Sequence, residues 1–124
     1  MSGHSIVSSP GADAAVFTDR VDRTRRAMRE QGIDVTLLSV GLDMPYLTGY
    51  HAMPLERLTM LVVGRAGVST MIVPRLEVPR VVAQPGVFSI VPWNETDNPV
   101  ALVAKHLGDA HTIAVGDQMW ARFL

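Results

Sequence analysis

The chain predicts an α/β fold, a mixed sheet with helices on its faces, and three observations lead there. Short apolar, β-branched-rich runs at residues 33–40, 58–64, 69–73, 87–91 and 112–115 have the length and composition of strands. Helical patterns precede the first run and separate several of the others. The second and third runs are joined only by Arg65-Ala66-Gly67-Val68. So short a connection allows only antiparallel pairing, which makes the sheet mixed.

Each element has its own signal. Asp13 is placed to cap a helix over residues 14–31, with Gly32 as its stop. Phe17, Val21, Thr24 and Met28 form its narrow buried stripe. Its other face carries Arg20, Arg23, Arg25, Arg26 and Arg29 among Asp19, Asp22 and Glu30. Asp19/Arg23 and Asp22/Arg26 have the favourable acid-before-base spacing, so this face reads as solvated and braced by ion pairs. Acids among the bases, and no stacking aromatic, argue against a phosphate-binding role.

The run at 33–40 reads as a largely buried strand, and residues 42–47 as a short helix or helical turn ended by Gly49. Pro74 closes the strand at 69–73. A short helix over 76–83 tolerates Pro79 in its first turn, and Pro85-Gly86 ends it. Asn98 caps a helix with Pro99 at its first position and Gly108 as the stop. Val100, Val103, Ala104 and Leu107 give that helix its apolar face. Beyond the last strand, residues 117–124 begin an amphipathic helical pattern that stops within two turns, which suggests a fragment of a longer protein.

Composition excludes several function classes. A chain of 124 residues fits one domain; residues 1–12 read as a flexible N-terminal segment and 13–124 as the domain. A net charge of −1 gives no global field to attract nucleic acid or an anionic membrane. The absence of cysteine removes disulfides, thiolate nucleophiles and cysteine-based zinc sites, and fits a cytoplasmic location. Apolar runs such as Met60-Leu61-Val62-Val63 are far shorter than the ~20 residues a bilayer span needs. The first fifteen residues lack the basic and apolar regions of a secretory signal.

Chemistry-bearing motifs are scarce. There is no glycine-rich phosphate loop and no Gly-x-Ser-x-Gly elbow. His4, His51, His106 and His111 include no i,i+4 pair, and no metal set is expected in this chain. Asp97 and Asp117 precede helices, where capping explains them. No catalytic residue is assigned. One stretch concentrates functional groups: Tyr50, His51, Glu56 and Arg57 lie on one inter-strand loop. Loops of this kind on a rigid sheet are common binding elements, while composition alone favours an ordinary solvated surface loop.

The helix from Phe17 with its Arg20-Val21-Asp22-Arg23 start, the Gly32-Ile33-Asp34 strand entry and the Tyr46-Leu47-Thr48-Gly49-Tyr50 element form one ordered set. The strand residues Leu58, Val62 and Val63, the Gly67 turn and the Ile72-Val73-Pro74 exit continue it. The set resembles the N-terminal creatinase/prolidase domain of the pita-bread metallopeptidases, the Xaa-Pro dipeptidases and aminopeptidases. Asp43 stands where the family often has Asn, and Pro45 is unusual there. The resemblance implies a ribonuclease H-like three-layer fold, its sheet mostly parallel with one antiparallel hairpin.

It further implies a non-catalytic domain that supports homodimer formation and narrows peptide access to a separate C-terminal catalytic domain. Two divalent metals, manganese or cobalt, would belong to that catalytic domain and not to this chain. The loop after the Thr-Gly element, carrying Tyr50, His51, Glu56 and Arg57, would reach toward the substrate site. Creatine hydrolysis in the same architecture, or a binding module without enzymatic function, remain the alternatives.

Overall fold

Five strands form a single sheet in the computed structural model, which describes residues 10–39, 43–51 and 57–116. Expectations for Val40, Glu56 and the helical pattern at 117–124 lie outside the described residues. The chain runs α1 (Pro10–Gln31), β1 (Val35–Leu38), α2 (Asp43–Thr48), β2 (Met60–Gly64), β3 (Ser69–Pro74), a 3₁₀ helix (Arg75–Arg80), β4 (Phe88–Trp93), α3 (Pro99–Leu107) and β5 (Ile113–Val115).

In space the strands lie in the order β4-β3-β2-β1-β5. β2 is antiparallel to both neighbours, while β1 with β5 and β3 with β4 are parallel. Four strands therefore share one direction and β2 alone opposes them, a mixed and mostly parallel sheet.

The alternation of side chains across the strands divides the core in two. Leu38, Leu61, Val63, Met71, Val73 and Phe88 face α1 and α2, meeting Val21, Met28, Met44 and Leu47. Val35, Leu37, Met60, Val62, Ile72 and Trp93 face the other way, where Val103 of α3 covers them. The result is three layers, and β2 is buried on both faces. Each such side chain contributes about 1.5–3 kcal/mol of burial.

Sequence and structure differ in places that have physical causes. α1 begins at Pro10, so Asp13 lies inside the helix rather than capping it; proline suits the first helical position, where its missing N–H has no partner to lose. The helix expected over 76–83 is a 3₁₀ helix with Pro79 inside it. It closes through the Val81 N–H on the Val78 carbonyl at 3.0 Å, a three-residue spacing rather than the four of an α-turn. β4 runs on through Pro92 to Trp93, which a sheet-edge position permits.

The arginine face of α1 is only partly solvated. Asp19 and Arg23 do pair, at 2.8 Å. Arg25, however, reaches the β2–β3 hairpin, its Nε donating to the Gly64 carbonyl at 2.9 Å and its Nη2 to that of Gly67. Arg20 Nη1 donates to the Tyr46 carbonyl at 2.9 Å, with the guanidinium 4.3 Å from the Tyr46 ring centroid. Two of these cations thus fasten α1 to the rest of the domain.

The Tyr-Leu-Thr-Gly-Tyr element is a sharp elbow. Thr48 Oγ1 donates back to the Met44 carbonyl at 2.8 Å and accepts the Tyr50 N–H at 3.1 Å. Gly49 N–H closes on the Pro45 carbonyl at 2.8 Å with φ +80°. A Cβ on Gly49 would meet Phe17 Cζ at 3.0 Å, so glycine is required both by backbone and by the ring lying on it. Pro45 falls in the first turn of α2, where its lack of an N–H is harmless.

At the opposite end of β1, Asp34 joins three segments. Its Oδ2 accepts the N–H groups of His111 and Thr112 at 2.9 and 3.1 Å, and its Oδ1 pairs with Arg65 at 3.0 Å. The His111 and Thr112 amides, helped by Arg65, hold its carboxyl below the ordinary value of 3.8.

Two outcomes follow from these contacts. Gly49→Ala should lower stability by about 1–3 kcal/mol in thermal or denaturant unfolding. Gly67→Ala, at φ +82° with nothing within 4 Å, should cost less; equal losses would remove the Phe17 contact from the explanation. The stability Asp34 contributes is complete above its unfolded pKa, near 3.8, and is lost as pH falls through the lower native value. Asp34→Asn should therefore melt earlier than the parent at neutral pH, with the gap closing below about pH 4. A gap independent of pH would contradict this role.

Candidate functional site

The elbow fixes where the chain leaves α2, and the residues just beyond it open the candidate site. Tyr50 is buried, 5% exposed, with its ring in the α1/α2-side core. Its hydroxyl lies 3.4 Å from Glu77 Oε1 on the 3₁₀ helix, and Glu77 in turn pairs with Arg80 at 2.8 Å. Burial, and then the Glu77 carboxylate, push the Tyr50 phenol above its ordinary pKa, so it stays a neutral donor. Tyr50 therefore sits at the base of the loop, packed rather than displayed. His51, the next residue, is exposed. Glu56 lies outside the described residues.

Arg57 is held at the far end of the loop. It pairs with Glu95, and both side chains face solvent. The next residue, Leu58, is buried, and its carbonyl accepts the Trp93 indole N–H at 2.8 Å. One aromatic ring thus fixes the backbone that carries Arg57. The two ends of the loop are anchored on different neighbours, Tyr50 on the 3₁₀ helix and Arg57 on the end of β4.

An open basin of about 240 Å³ lies beside Arg57, bounded also by Arg75, Leu76, Trp93, Asn94 and Glu95. It sits where β3 and β4 terminate side by side, since Pro74 and Trp93 are register partners. Carboxyl ends of parallel strands are where open α/β sheets commonly place ligands. Arg75 Nε donates to Asn94 Oδ1 at 2.7 Å, tying the two strand exits together. Sequence reading did not single out Arg75, Trp93 or Glu95. The available signal was the Trp93-Asn94-Glu95 triplet where β4 ends, which the Pro92 preceding it concealed.

The arrangement supplies cations, an exchangeable carboxylate and apolar surface, but no paired nucleophile and base. His106 Nδ1 lies 2.8 Å from the Leu102 carbonyl, a contact within its own helix. Among the described residues no group of three or more His, Cys, Asp or Glu side chains could hold a metal ion. A two-metal centre does not fit the described residues. No helix among them is long and apolar enough to cross a membrane.

The fold is shared with proteins of known structure and with curated sequences. The solved dipeptidase PepE from Mycobacterium ulcerans superimposes with a TM-score of 0.77 at 35% identity, covering 88% of this chain and 30% of that one. The probable dipeptidase PepE of Mycobacterium tuberculosis is 34% identical over 112 residues, 86% of this chain and 30% of its own length. The N-terminal domain of a Xaa-Pro dipeptidase from Lactobacillus brevis shares the fold at a TM-score of 0.74 and 22% identity, over 83% of this chain and 81% of that domain. The chain thus spans about 30% of the length of the curated PepE relatives it matches. The model of the creatinase/prolidase N-terminal domain matches residues 20–124, most of the sequence, and the chain belongs to that family.

Proposed function

We propose that this domain is the non-catalytic N-terminal lobe of a proline-specific metallopeptidase, a Xaa-Pro dipeptidase or aminopeptidase. In that role it supports homodimer formation and limits which peptides reach the catalytic domain. The observation that carries the reading is the braced loop. A rigid elbow at Thr48-Gly49-Tyr50 launches it, a buried ring fixes its return, and His51 and Arg57 are exposed at its two ends. Such a loop can project functional groups without losing its footing. The dipeptidase and prolidase names of the relatives favour peptide hydrolysis over creatine hydrolysis on the same scaffold.

On this reading the divalent metals, manganese or cobalt, are a matter for the catalytic domain, and the present residues act on access alone. Arg57 can turn from Glu95 to pair a substrate carboxylate through two parallel hydrogen bonds. Its present pair is exposed to water and worth no more than about 1 kcal/mol, so the exchange costs little. His51 and Glu56 shape the entrance, with Glu56 able to receive a peptide amino group.

In the complete polypeptide assayed on Xaa-Pro peptides with manganese, Arg57→Ala should reduce kcat/KM by roughly tenfold, chiefly through KM. Its thermal unfolding should match that of the parent. Identical kinetics on dipeptides and longer peptides would discard the access role of Arg57.

A further inference from the structure

We propose that the basin at the ends of β3 and β4 is a recognition subsite for the C-terminal carboxylate of a peptide with an apolar last residue. Arg57 and Arg75 are its anion-binding pair, and Glu95 is the internal competitor that occupies it at rest. The inference deepens the access reading and rests on it for the choice of a peptide as the carboxylate's source.

The chemistry of the walls is amphipathic. Trp93 is almost wholly buried, and its one polar atom is already committed to the Leu58 carbonyl, so what it offers the basin is apolar ring. Leu76 stands at the rim, 74% exposed, and Pro74 adds further apolar surface. Leu76 at the rim and the Trp93 ring on the floor give the basin an apolar side that suits an apolar ligand group. The volume of about 240 Å³ accommodates a side chain or ring together with its carboxylate.

Against that floor stand two guanidinium groups. Each carries five N–H donors in a planar fork suited to a carboxylate. Asn94 takes the Nε donor of Arg75, leaving the rest of the fork for other acceptors. Arg57 holds Glu95, whose side chain is 72% exposed. A carboxylate this exposed is weakly held and yields to a competing one whose apolar portion is also buried. Among the described residues that line the basin, two cations stand against one acid, which favours an anion.

The frame is rigid where binding needs it. Pro74 and Trp93 are paired in register, the Arg75–Asn94 bond bridges the exits, and Asp97 Oδ2 accepts the Asn94 N–H at 2.7 Å to set the turn. Arg57 follows from the same frame through Leu58.

The test is a titration of N-acetyl-L-proline into the isotope-labelled chain, read from the arginine Nε–H and Trp93 indole resonances. N-acetyl-L-prolinamide and inorganic phosphate are the comparisons. The acid should bind saturably in the millimolar range, at least about tenfold tighter than either comparison. Arg75→Gln should weaken it at least about fivefold, and Glu95→Gln should tighten it several-fold by removing the competitor. Equal binding of the amide shows no carboxylate recognition, and equal binding of phosphate shows only a general anion site; either overturns the proposal. So does an unchanged affinity in Glu95→Gln, a variant whose exposed position makes it the decisive one should Arg75→Gln misfold. Because the measurement involves no turnover, its failure removes the subsite and leaves the access role to be judged by the kinetics of Arg57→Ala.

Discussion

A strand that is apolar on both faces must be covered on both, and β2 imposes that requirement here. Met60, Leu61, Val62 and Val63 are all buried, with Met60 and Val62 in one core and Leu61 and Val63 in the other. The middle of the sheet is the place where strands flank it on either side, and helices must then close each face. α1 and α2 supply one cover and α3 the other. The short hairpin turn at Gly67 sets its direction relative to β3. The loop that returns from α2 must enter at the Met60 end, which brings it to the same end of the sheet as the exits of β3 and β4.

The elbow applies the same economy at smaller scale. Thr48 closes hydrogen bonds on both sides of Gly49, Phe17 presses on the glycine, and Tyr50 turns inward to Glu77. Arg20 clamps the outer side through Tyr46. Every residue of the element therefore has a structural task before any functional one. What the element gives to function is a fixed departure point, while the groups that meet ligands lie further along, on the loop and the neighbouring strand exits.

Local chemistry made much of this legible. The hairpin follows from a four-residue connection, the start of α3 from Asn98 and Pro99, and the end of α1 from Gly32, which indeed has φ +70°. The layer arrangement follows from strand and helix alternation. Contacts between distant residues were not legible. Arg25 reads as one more surface cation because nothing in its helix reveals carbonyls 39 and 42 residues away. Arg57 and Glu95 are 38 apart, and Tyr50 and Glu77 are 27 apart. Pairings of that range depend on sheet order, which periodicity does not encode. β4 was cut short for the same reason, since Pro92 reads as a breaker until the strand is known to be outermost.

The flanks of the sheet differ in what they can template. Ser69 N–H meets the Val87 carbonyl, so alternate residues of β4 turn inward and Pro92 turns its nitrogen outward. With no hydrogen on that nitrogen, the outer side of β4 cannot supply a continuous ladder to an incoming strand. On the opposite flank, Thr112 and Gly116 bond β1, leaving the amides and carbonyls of Ile113 and Val115 directed away from it, under exposed β-branched side chains. Among the described residues, the outer side of β4 is therefore interrupted by a single imino acid, while the outer side of β5 presents an unbroken set of backbone donors and acceptors.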